Sequence, residues 1–163
     1  MRTEEKKKLG LAGGLFVLAA AIVAMRSGKE VAPQSWFYDE SAEALFAAPL
    51  NAIPPIMGID GPEEDGVRAV VVAPAGQCGK EDAREIAYLE KFSPLLKRQM
   101  EATEQAKATG EAVPELLDRS SATAHRFVRR VEDEEWVSLR TQLGLEIVEA
   151  WRQANPSLEA CQP

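Results

Sequence analysis

Very few side chains in this sequence are of the types that carry covalent or metal chemistry: two cysteines, Cys78 and Cys161, and one histidine, His125. Two thiols and one imidazole fall short of a conventional zinc set and lack ligand spacing. Without a Cys-x-x-Cys pair there is no support for a thioredoxin-like redox role. A nucleophile–base arrangement requires folding to bring His125 beside a serine or a cysteine. The sequence does not establish such a placement, so a structural or surface histidine is the simpler expectation. Carboxylates are abundant, and they cluster at Asp60 with Glu63, Glu64 and Asp65, and again at Glu132, Asp133, Glu134 and Glu135. Hard cations need several oxygens converging on one point, and neither cluster has the alternating spacing of a calcium loop, so both read as solvated turns. Abundance alone does not designate a carboxylate pair for glycoside chemistry. Gly13-Gly14 and the Gly76/Gly79 pair lack the rest of a phosphate loop. No catalytic, cofactor-binding or metal-binding residue is assigned, and no cofactor is expected.

Three other features have defined physical uses. Cys78 and Cys161 would, in an oxidising compartment, close a loop of more than 80 residues, a cross-link contributing about 4 kcal/mol through chain entropy. Spacing alone does not show whether they meet. Trp36, Phe37 and Tyr38 form an aromatic run suited to a binding face, to core packing, or to contact with a membrane interface. Gly10 and Gly14 have the small-xxx-small spacing that lets two apolar helices approach closely, although such spacing is common in membrane helices.

Charge and hydropathy then divide the chain. Residues 1–8 carry four basic and two acidic groups. Leu9 to Met25 contains no charge and, at the short end of the bilayer-spanning range, reads as a transmembrane anchor. Arg2, Lys6, Lys7 and Lys8 precede it, while Arg26 and Lys29 follow, which predicts a cytoplasmic N-terminus and an exported body. Small residues at Ala19 and Ala21 offer a cleavage pattern. The long core, free of helix breakers, favours a retained signal-anchor. No cysteine closely follows the core, which excludes a lipoprotein signal, and the early acid of a pilin-like helix is absent. From Trp36 onward there are 13 basic and 23 acidic residues, a formal charge of −10. So acidic a body disfavours a nucleic-acid partner and keeps the domain from lying flat on anionic lipid.

The organisation expected is therefore a basic tip (1–8), an anchor (9–25), a linker (26–35) and a folded domain (36–163). Trp36-Phe37-Tyr38 and Leu45-Phe46-Ala47 read as a hairpin across a turn at Asp39-Glu40-Ser41. The four-proline stretch from Pro49 to Pro62 should be irregular. Val67 to Ala73 reads as a central strand. Ile86, Leu89 and Phe92 are spaced as one face of a helix, with a second helix capped by Ser93-Pro94 and running to Gly110. Residues 125–131 and 136–139 should pair across the acidic turn. A last helix from about Thr141 presents Leu143, Ile147, Val148 and Trp151 inward and stops at Asn155-Pro156. Strands, helices, strands and a helix in that order predict a small α+β domain with an antiparallel sheet and two to three helices.

The segments Trp36-Phe37-Tyr38-Asp39, Leu45-Phe46-x-x-Pro49, Ile53-Pro54-Pro55-Ile56, Gly66-Val67-Arg68-Ala69, Tyr88-Leu89-Glu90-Lys91-Phe92, Val128-Arg129-Arg130-Val131 and Glu135-Trp136-Val137 together resemble uncharacterised small membrane-anchored proteins of planctomycete bacteria. The resemblance spans roughly residues 36–140. Members carry two close cysteines after the third strand where this chain has Cys78 alone, so no shared metal or redox site follows. The resemblance implies a single-pass protein of the bacterial inner membrane with a periplasmic domain, and it carries no activity. The expected function is a non-enzymatic interaction module or accessory subunit, held in lipid by residues 9–25 and binding a protein partner. A membrane-anchored or secreted hydrolase is the alternative.

Overall fold

The valine-rich segment Gly66–Pro74 forms the spine of a seven-stranded antiparallel sheet. The computed structural model describes residues 32–114 and 117–163. The basic tip, the anchor at 9–25 and the Gly10/Gly14 pair lie outside the described residues. No helix among the described residues is long and apolar enough to cross a membrane.

In chain order the strands are β1 (Gln34–Asp39), β2 (Ala44–Pro49), β3 (Gly66–Pro74), β4 (Glu85–Phe92), β5 (Arg126–Arg129), β6 (Val137–Ser138) and β7 (Leu158–Ala160). The helices are α1 (Pro94–Thr109), α2 (Arg119–Ala124) and α3 (Gln142–Ala154), with one 3₁₀ turn at Glu81–Ala83. The sheet order is β2-β1-β3-β4-β5-β6, and β7 pairs with β3 off this path. The domain is thus α+β. β3 pairs with β4 along one edge. Its other edge is divided between β1, opposite residues 66–68, and β7, opposite residues 72–74.

Local chemistry sets the helix ends. Ser93 accepts from Leu96 N and Pro94 occupies the first turn of α1, where a missing N–H costs nothing. Gly110 ends α1 with φ 73°, a left-handed conformation natural to glycine. Asp118 caps α2 through Ser120 N and Ser121 N, and Thr141 caps α3 through Gly144 N.

Residues 86–92 correct the expectation of a helix: they lie in β4. The register between β3 and β4 shifts after Val70, pairing Val70 with Tyr88 but Val71 with Ile86. This bulge puts Ile86 and Leu89, three residues apart, against the same buried cluster, reproducing a helical spacing inside a strand. Phe92 belongs to the opposite face. Leu143 is a second correction, being about half exposed; Gly144 and Ile147 instead bury α3. The helix α2 and the three-residue β7 were not foreseen, being too short to show a period.

Strand alternation gives the sheet two unlike faces. The helices α1, α2 and α3 pack on the one bearing Phe37, Arg68, Tyr88, Glu90 and Val128. The other carries Val67, Ala69, Val71, Ala73 and Leu89, with Cys161. Among the described residues no helix residue joins that cluster; partly buried side chains such as Trp36, Tyr38, Ile86 and Trp136 cover it. The Arg84 guanidinium lies 5.1 Å from the centre of the Trp36 ring, and Lys91 and Arg129 lie 4.2 and 5.0 Å from that of Trp136. Long cationic chains thus screen the apolar layer while their charged ends meet aromatic faces.

Cys78 and Cys161 are joined by a disulfide across a Cα–Cα distance of 5.3 Å, tying β7 to the loop after β3. Replacing both cysteines by serine should cost about 4 kcal/mol of unfolding free energy in urea titrations. Gly144 packs directly on Ser138 O and Leu139 Cα, where a Cβ has no room. Gly144→Ala should cost about 1–3 kcal/mol in the same measurement.

Candidate functional site

Arg68 and Glu90 face each other across β3 and β4 on the helix-bearing side of the sheet. Arg126, beginning β5, joins them on that side. Together with Phe92, Leu96 and Met100 from the β4–α1 segment, and Leu117 and Ala122 from the region of α2, they line a cleft of about 400 Å³. That volume is within the range of small-molecule sites. Its polar groups are unevenly matched. Arg126 Nε donates to Glu90 Oε1 at 2.7 Å and its Nη2 lies 2.6 Å from the same oxygen in an ion pair, and the Glu90 side chain is 7% exposed. Arg68 Nη2 donates to Ala52 O at 2.7 Å and reaches Leu50 O at 3.4 Å. Its Nε is buried without a hydrogen-bond partner, and no carboxylate among the described residues forms an ion pair with it. Burial lowers the Arg68 pKa, opposed by the field of Glu90. Two guanidinium groups and one carboxylate leave the cleft with one surplus positive charge in a domain that is otherwise strongly acidic. Sequence reasoning missed this site because its residues come from β3, β4, α1, α2 and β5. The visible signal was an arginine interrupting the apolar run of β3.

Asp39 organises a second cluster. It ends β1 fully buried. Its Oδ1 accepts from Ser41 N, Ser41 Oγ and Ala42 N, at 3.1, 3.0 and 2.8 Å, while its Oδ2 accepts from Ile59 N at 2.6 Å. Ser41 Oγ also contacts Asp60 and Asp65. One oxygen from each of Asp39, Asp60 and Asp65 lies within 4.8 Å of the others, a donor set of the type that suits hard cations. Gly58 abuts Asp39 and Asp65 so closely that a side chain there would strike both. Because four N–H and O–H donors already engage Asp39, the geometry accounts for the cluster as a turn built on one buried carboxylate. Sequence placed Asp39 in the turn, and only folding brought Asp60 and Asp65 to it.

His125 Nδ1 lies 2.9 Å from Ser93 Oγ, and Ser93 N donates to His125 O. Folding therefore does bring the histidine beside a serine. No carboxylate hydrogen-bonds to His125 among the described residues, and Ser93 Oγ also caps α1.

Glu132–Glu135 occupy the β5–β6 turn and line a groove of about 510 Å³ with Leu143 and Ile147. Arg129 shapes the turn. Its Nη1 donates to the carbonyls of Arg130, Val131 and Asp133, while Nη2 pairs with Glu40 at 2.6 Å. The aromatic run does not form one binding face. Phe37 is buried on the helix side, while Trp36 and Tyr38 pack against the opposite cluster.

Hydrogen bonds from Ala42 N and Ile59 N, followed by those from Ser41, lower the Asp39 pKa from its ordinary value despite burial. With the folded value below the unfolded one, this stabilisation is complete above about pH 4 and is lost as pH falls through the depressed folded value. Urea midpoints followed from about pH 6 to about pH 2 should drop on the acid side, and Asp39→Asn should lower the plateau and shallow that drop.

No family model, curated protein or solved structure matches this chain.

Proposed function

We propose that this protein is a single-pass, membrane-tethered binding or accessory module, its folded domain working outside the cytoplasm. Residues 9–25 supply the anchor, and the cleft around Arg68 is the surface where the domain receives its ligand or partner. The observation that carries the reading is the Cys78–Cys161 disulfide, since such bonds persist in oxidising compartments and are rare in the cytosol. The basic residues before the anchor point the same way. The cleft adds what a recognition surface needs: apolar walls and a few fixed polar groups.

The Ser93–His125 contact favours a second reading, an anchored hydrolase with Ser93 as nucleophile and His125 as base. It ranks below the first because Ser93 Oγ accepts the capping hydrogen bond of α1 and no acidic group orients the imidazole among the described residues. Covalent labelling of Ser93 by a fluorophosphonate, lost in Ser93→Ala, would reverse that order.

In bacterial spheroplasts, opened to the periplasmic side with the inner membrane sealed, a membrane-impermeant maleimide should leave both cysteines unlabelled until an impermeant reductant is added from outside. Protease added outside should digest residues 36–163 while leaving an N-terminal tag intact. Labelling without reduction, or protection of the domain until lysis, would sink the exported placement.

A further inference from the structure

Resting on the reading of the cleft as a recognition surface, we infer that it takes an amphipathic monocarboxylate: one carboxylate on the Arg68 guanidinium and a compact apolar body against Phe92, Leu96 and Met100. The first ground is the unmet hydrogen-bonding capacity of Arg68. Its Nη2 is engaged by two backbone carbonyls, and no hydrogen bond among the described residues reaches Nη1, while Nε is closed off from the cleft. A guanidinium held partly out of water without a counter-ion costs free energy. A carboxylate in the cleft supplies that counter-ion and an acceptor for the unengaged Nη hydrogens.

The second ground is the charge count. Arg126 is committed to Glu90 through two of its nitrogens, which leaves one uncompensated positive charge. A monoanion cancels it. A phosphate dianion would overshoot it and face the Glu90 carboxylate, and a cationic ligand would add to it. The third ground is the wall. Leu96 is buried, and Met100 and Phe92 extend the apolar surface along α1 and the end of β4. Methionine accommodates irregular apolar shapes, and the volume of about 400 Å³ suits a compact acid. The same chemistry is available from a free organic acid or from the C-terminal carboxylate of a short apolar peptide.

The full-length protein, in nanodiscs of zwitterionic lipid, would be titrated with 3-phenylpropanoate and, separately, with 3-phenylpropan-1-ol, which has the same body without the charge. Empty nanodiscs correct for partitioning into lipid. The Arg68 Nε–H resonance, assigned by its loss in Arg68→Met, reads occupancy directly. The carboxylate should shift that resonance saturably and bind about tenfold or more tightly than the alcohol. Arg68→Met should abolish the preference, and Met100→Trp should weaken both ligands by filling the apolar end. Acetate and inorganic phosphate should bind at least about tenfold more weakly than 3-phenylpropanoate. A short peptide ending in phenylalanine, compared with its C-terminal amide, separates the two sources of carboxylate.

Equal affinity for acid and alcohol, an Arg68 Nε–H that does not move, or a preference that survives Arg68→Met would overturn the inference. Should either variant unfold, the preference of the unaltered protein for the acid over the alcohol still decides. The outcome is independent of topology. A carboxylate bound by a protein whose domain lies in the cytoplasm would keep this inference and discard the exported placement, and the reverse result would do the opposite.

Discussion

The nine residues of β3 need backbone partners along both edges, and much of the domain follows from how those partners are found. Buried backbone N–H and C=O groups are costly to leave unpaired. β4 takes one edge, but β1 reaches only residues 66–68 of the other. The vacancy at residues 72–74 is filled from the far end of the chain by β7, and Cys161 N continues the pairing with Val71 O at 2.8 Å. A three-residue strand makes too few contacts to hold its own register. The disulfide from Cys161 to Cys78 joins it to the segment just after β3, so the covalent link and the hydrogen-bonded edge depend on each other.

The two faces of the sheet meet the demand for burial differently. On one, α1, α2 and α3 supply a conventional second layer, with Ile147 of α3 almost completely buried. On the other, the second layer consists of side chains and loops. Trp36 and Trp136 lie over aliphatic residues, and Arg84, Lys91 and Arg129 lie over the tryptophans. Burial lowers the Lys91 pKa, and the field of Glu40 opposes that shift. Glu40 also pairs with Arg129, so one carboxylate in the β1–β2 turn supports two of the cations that cover this face.

Buried charge in the domain falls into two kinds. Asp39 and Arg129 meet partners of opposite polarity within the domain, the first four donors and the second three carbonyls and a carboxylate, with only the Arg129 Nε left buried and unpartnered. Each fixes a loop that has no regular structure of its own. Arg68 differs, because its partners are two backbone carbonyls and no carboxylate among the described residues forms an ion pair with it. A guanidinium without a counter-ion is costly to hold out of water, which is why the cleft is read as the surface that receives a ligand.

The hairpin at Trp36, the strand at Val67 and the Ser93-Pro94 start of α1 were legible in the sequence because each depends on neighbours within a few residues: alternation, β-branching and capping. The charge division and the apolar segment at 9–25 were legible for the same reason, since composition is local. β4 was misread because its bulge gave a strand the three-residue spacing of a helix, and the bulge exists only in relation to β3. Pairing of the cysteines, the joining of Asp60 and Asp65 to Asp39, the meeting of Ser93 with His125, and the cleft of Arg68, Glu90 and Arg126 all connect residues 21 to 83 positions apart. No local propensity encodes such contacts. They arise when the strand register sends particular side chains to one face, and that was decided by the tertiary structure alone.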